Sequence, residues 1–188
     1  MRTAFKEWAV VVNALARGDQ ILILRKGGIS EGPGGFQLEH ERFLFFPTLF
    51  HQQRGSVIPS AQILYDSLAP AFSSNVVRIE CFAEVVDWKL IETLGAALRL
   101  RGQHIWRDEA VREKFETGSA CSVYAMAVRV FRLPLPVELP MAAHYGGCKS
   151  WVELGTNISR DGAQPVLTDR EFNAKLERFE QALAPAEV

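Results

Sequence analysis

The sequence is poor in the features that would assign it quickly. It has three cysteines, Cys81, Cys121 and Cys148, an odd number at wide spacings. Neither a paired zinc-ribbon set nor a thioredoxin-like Cys-x-x-Cys can be built from them, and reduced thiols are expected. It has almost no net charge: 21 basic and 22 acidic residues leave a formal −1. A whole-molecule field drawing the chain to nucleic acid or an anionic membrane is therefore excluded, and only a local basic patch could serve that role. No stretch approaches the ~18 apolar residues of a membrane span, and charge at Arg2, Lys6 and Glu7 comes too early for a signal peptide. A cytoplasmic location and no membrane partner are the expectations. No internal repeat, low-complexity tract or Gly-x-x-x-x-Gly-Lys-Ser/Thr loop is found, which removes repeat architectures and P-loop nucleotide hydrolysis.

What is present is an ordinary core-forming composition, 48% apolar and 23% charged over 188 residues. Phe5, Trp8, Val12, Leu15 and Ala16 recur at helical spacing and predict an opening helix over 5–17, stopped by Arg17-Gly18-Asp19. The Ile/Leu-rich run 20–26 reads as a buried strand delivering Arg25 and Lys26 to its far end, before Gly27-Gly28 and a Gly-Pro-rich connection at 32–35. Further strands are expected over 36–46, 76–89 and 124–133, the last ended by Pro134 and Pro136. Helices are expected over 60–68, capped by Ser60, over 91–116 with a break near Gly102, and at the C-terminus, where Phe172, Leu176, Phe179 and Leu183 share a face. The reading is α+β: a mixed, largely antiparallel sheet, curved or barrel-like, flanked by helices. A single domain over 1–160 is expected, then a linker and amphipathic helix over 161–188. By analogy, PUA-like nucleic-acid-binding barrels offer a comparable architecture.

Several separated motifs occur in one order: Lys6-Glu7-Trp8-Ala9, Leu24-Arg25-Lys26-Gly27-Gly28-Ile29, Arg42 to Thr48 with His51-Gln52, His104-Ile105-Trp106, and Gly147-Cys148-Lys149-Ser150-Trp151-Val152-Glu153-Leu154. Together, over residues 4–154, they resemble the uncharacterised bacterial and archaeal family called domain of unknown function 1802. The resemblance implies no established activity. Because some members are associated with a restriction-endonuclease domain, it implies a context of DNA or restriction and modification.

Five groups of residues carry chemistry. Arg25 and Lys26 combine cations on a strand end with glycines that let backbone N–H groups approach, ingredients for holding phosphate; the bland alternative is a solvated strand end. Glu39, His40, Arg42, Thr48, His51 and Gln52 could supply acid–base work or metal ligands, though the separation of His40 and His51 is no known ligand spacing and hydrogen bonding within a loop competes. Cys148, with Lys149, Ser150, Trp151 and Glu153, would be a nucleophile if His144 or His51 lowered its thiol pKa; a buried thiol beside a packed Trp is the alternative. His104 and Trp106 offer a stacking platform or core packing. Asp66 and Asp87-Trp88-Lys89 match the loose acid, acid-x-Lys arrangement of restriction-type nucleases, with Glu7 on the first helix and an element order like that nuclease core's α-β-β-β-α-β; Mg²⁺ enters only with that reading.

Three functions therefore compete: a binding module for DNA, RNA or a modified base; a Mg²⁺-dependent nuclease or phosphodiesterase; and a small-molecule enzyme with a His/Cys site. The first is the preferred expectation. In it Arg25 and Lys26 meet phosphate, His51 and Gln52 make polar contacts, and Trp151 forms a wall. Catalysis, cofactor and oligomeric state are left open.

Overall fold

The computed structural model describes residues 1–26, 40–49, 52–68, 75–118, 120–147 and 149–184. Its elements are β1 (Thr3–Trp8), α1 (Ala9–Ala16), β2 (Leu22–Arg25), β3 (Arg42–Thr48), α2 (Pro59–Leu68), β4 (Val76–Ile91), α3 (Leu94–Arg99), α4 (Asp108–Glu116), β5 (Val123–Pro140), β6 (Trp151–Glu153), β7 (Gln164–Pro165) and α5 (Asp169–Leu183). The strands form one sheet in the order β2-β5-β4-β3-β1-β6, with β7 also paired to β5. Only β1 and β3 run parallel among these pairs. The α+β class and the largely antiparallel sheet are as expected; the sheet is open, not a closed barrel. No described helix is long and apolar enough to cross a membrane.

The opening helix over 5–17 is corrected to a strand followed by a shorter helix. Trp8 and Phe5 sit three positions apart, which mimics a helical stripe. Thr3–Trp8 is instead a strand covered on both faces, with Ala4 packed on one side of the sheet and Phe5 on the other. A strand buried on both faces loses the alternation that would have announced it. The α-β-β-β-α-β nuclease order fails with it, and Glu7 lies on a strand. The expected 60–68 helix begins instead at Pro59, whose missing N–H costs nothing in a first turn.

The β4–β5 hairpin is the spine of the sheet and shows why the prolines did not end β5. Between the pairs Ile79↔Val137 and Cys81↔Arg132, residues 133–136 of β5 stand opposite residue 80 of β4. Pro134 and Pro136 occupy that excess, where no ladder donor is required, and the strand bends through them. A second irregularity, at Val86, lies between Val85↔Val128 and Asp87↔Ala127. Two such bulges curl the sheet.

One large core lies between the sheet and helices α1, α3, α4 and α5, centred on Phe5, Leu15, Ile23, Phe43, Met126 and Phe179. A smaller one on the opposite face joins Leu44, Phe46, Ile79, Tyr145 and Leu154. The C-terminal helix is fixed by a capping box between Thr168 and Glu171, and its Phe172 and Phe179 enter the larger core.

Candidate functional site

The curl brings the two edges of the open sheet within reach of one side chain. Arg25, the last residue of β2, lies on one edge, and Ser150 immediately precedes β6 on the other. The Arg25 guanidinium donates to Ser150 Oγ at 2.6 Å and to the Lys6 carbonyl at 3.4 Å. It lies over the Phe5 ring at 4.7 Å and faces Glu7 Oε2 at 3.7 Å. A side chain thus links strands that no backbone ladder joins.

Around this link opens a groove of about 500 Å³, lined by residues from the ends of β1, β2 and β3, from α4 and from the 145–150 connection. Among the described residues four cations border it, Lys6, Arg25, Lys114 and Lys149, together with a single carboxylate, Glu7. Glu7 is only 4% exposed, and its Oε1 accepts the Trp8 backbone N–H at 2.7 Å. Lys6 Nζ donates to the Gly147 carbonyl at 3.0 Å, a residue whose φ of 80° suits glycine. Lys149 is exposed.

Lys114 is the residue that sequence reasoning missed. Its ammonium sits 4.1 Å from the Trp106 ring and 5.4 Å from Trp8. Burial pushes its pKa below the ordinary lysine value, while Glu7 pulls it up and Arg25 pushes it down. A signal was available. Ala110, Val111 and Phe115 form the buried face of α4, and Lys114 follows Ala110 by four positions and Val111 by three. A lysine on the apolar stripe of an amphipathic helix asks for an explanation.

The other expected residues have separate places. Lys26 turns from the groove and donates to the carbonyls of Phe115, Ala120 and Ser122, which leaves it no N–H for phosphate. Arg42 is exposed and pairs with Glu84 across β3 and β4 at 3.0 Å. Gln52 holds the start of α1, its Oε1 accepting from Val10 N–H at 3.1 Å. Trp151 packs against Phe5, Phe43 and His40 at ring distances of 4.7, 5.2 and 5.0 Å. Glu153 is exposed on β6, accepting from the Thr3 hydroxyl. Trp106 is buried and offers no free face for a base. His104 is buried beside it, its Nδ1 accepting the Trp106 N–H at 3.2 Å, and burial lowers its pKa to about 4. Glu39, His51 and Cys148 lie outside the described residues, as do the 27–28 and 32–35 glycine connections.

The nuclease constellation does not assemble. Asp66 is exposed on α2 and takes a two-pronged bond from Arg54 at 2.8 and 2.9 Å, which lowers its pKa. Asp87 is bound by its own neighbour Lys89 at 3.0 Å. Among the described residues no three His, Cys, Asp or Glu side chains form a group able to hold a metal ion.

An ASCH protein from Zymomonas mobilis aligns over 93% of this chain and 92% of its own, at 12% identity and a TM-score of 0.44. A point variant of the same protein aligns over 93% and 95%, at 13% identity and 0.46. No curated protein matches the chain. The model of a domain of unknown function, DUF1802, matches residues 4–178, reaching past the motifs over 4–154 into α5, and the chain belongs to that family.

Proposed function

We propose that the groove binds single-stranded nucleic acid, with Arg25, Lys6 and Lys149 facing phosphate. The observation that carries this reading is the gathering of four of the chain's cations around one cleft, in a molecule whose formal net charge is only −1. Evenly spread charges would neutralise one another locally; here a basic field is focused between low-dielectric walls. The cleft's volume falls within the range of sites that enclose a nucleotide-sized moiety. A strand with splayed nucleotides fits such a cleft, because its bases and phosphates can enter separately. Lys26 and Trp106, first expected to share this work, serve instead as supports: Lys26 ties down the end of α4, and Trp106 floors Lys114.

The test is titration of a labelled single-stranded oligonucleotide by fluorescence anisotropy across a range of salt. Binding should weaken by a factor that grows with the number of phosphates neutralised, and Arg25→Ala combined with Lys149→Ala should reduce both affinity and salt slope. Absence of binding to RNA or DNA at roughly 50 mM salt, where such contacts are strong, rejects the proposal.

A further inference from the structure

Two charged groups in the groove, the buried Glu7 and the half-buried Lys114, lack among the described residues the hydrogen bonds that charges withdrawn from water normally collect. Glu7 can accept about four hydrogen bonds, yet among the described residues only the Trp8 N–H donates to it. Its Oε2 faces Arg25 at 3.7 Å, an ion-pair distance too long for a hydrogen bond. Lys114 carries three N–H donors and rests on two indole rings, with no hydrogen-bond acceptor among the described residues. An acceptor and a donor, both lining one cleft and both beside Trp8, are a readout surface lacking its complement.

The complement can be specified by its pattern. A carboxylate takes two adjacent N–H groups, and the neighbouring ammonium takes a carbonyl. The Watson–Crick edge of guanine presents that order: the O6 acceptor, then the N1–H and N2–H₂ donors. Uracil would set a carbonyl against the carboxylate on either side of its single N–H. Cytosine and adenine each bring one amino group with a ring-nitrogen acceptor beside it, so neither gives the carboxylate two donors. Trp8 lines the same cleft and supplies an aromatic surface next to the edge being read.

We infer that the floor of the groove is a guanine slot, in which Glu7 accepts from N1–H and N2–H₂ and Lys114 donates to O6. This rests on the nucleic-acid reading above and adds a base preference to it.

The experiment uses the full chain and labelled tetranucleotides of three uridines and one variable base, namely guanine, hypoxanthine, adenine, cytosine or uracil. Guanine should bind at least ~10-fold more tightly than adenine, cytosine or uracil. Hypoxanthine, lacking the 2-amino group, should fall between. Glu7→Gln should remove the guanine advantage while binding keeps its salt dependence, and Lys114→Met, which retains the apolar stem, should reduce it. Thermal melting checks that each variant is folded; if Glu7→Gln is not, Lys114→Met decides by the same comparison. Equal affinity for all five bases, or a guanine preference that survives in the folded variants, overturns the slot and leaves the nucleic-acid groove standing. No binding of any tetranucleotide, or of longer strands, removes both.

Discussion

Two polar regions of this molecule use similar residues to opposite effect. On the outer surface of α2 and β4, Asp66 and Arg54 form an exposed pair and the half-exposed Asp87 meets the exposed Lys89, each charge met by its neighbour. In the groove, Glu7 and Arg25 have side chains only 5% and 18% exposed and are held at 3.7 Å, and Lys114 has no carboxylate in direct contact among the described residues. Exposed pairs cost little to form and contribute little, because water would serve either partner as well. Buried charges are expensive unless compensated. The difference teaches where to look: an acid-x-Lys triplet in the sequence marks a comfortable surface, whereas a lysine on an apolar helix face marks a site.

The sharpest way to break that comparison is to remove one cation from each region. Arg25→Met leaves Glu7 buried without its counter-charge and takes away the link between the sheet edges. A loss of about 3–5 kcal/mol is expected, the usual cost of orphaning a buried charge. Arg54→Met should leave the urea midpoint unchanged. Equal effects of the two substitutions would mean that the groove charges are as well solvated as the surface ones.

His104 extends the comparison to a buried group kept neutral. Its pKa is about 4 in the folded chain against 6.5 ordinarily. Between those values the unfolded chain binds a proton that the folded chain refuses. Stability from this residue is therefore complete above pH 6.5 and is lost as pH falls towards about 4. The full loss is about 3 kcal/mol. Urea titrations of the native chain and His104→Asn, whose amide oxygen can replace the Nδ1 acceptor, should diverge over that window. Parallel pH profiles for the two chains would refute the assignment.

Much of this fold could be read from the chain, and the exceptions have physical causes. β4, the first half of β5, the helical region broken near Gly102 and the amphipathic α5 were legible from β-rich composition, from the glycine break and from helical periodicity, whereas the continuation of β5 through Pro134 and Pro136 was not. β1 was not, since a strand covered on both faces carries no alternation and its Phe5 and Trp8 imitate a helix turn. The three-residue β6 is too short to leave a pattern. For the groove, the meeting of Arg25 with Ser150 was foreshadowed by two polar motifs, one at each end of the chain. The adjacent Lys26 looked equivalent to Arg25, and only the carbonyls of Phe115, Ala120 and Ser122 separate their roles. Strand alternation predicts that neighbours diverge but not which of them meets the cleft.

The smallest expected effects sharpen the comparison from the functional side. Lys149 borders the groove but is exposed and makes no buried pair among the described residues. Lys149→Ala should leave melting unchanged and lower nucleic-acid affinity uniformly across sequences, with the log–log salt slope falling by about 1. Lys89→Ala removes an equal charge from β4, where it only neutralises Asp87. It should change neither stability nor slope. Because both lysines are solvated, differences in folding cannot explain a difference in binding, and the salt slope counts phosphate contacts directly. If Lys89→Ala lowers the slope as much as Lys149→Ala does, the nucleic acid follows the outer surface and the groove is not its path.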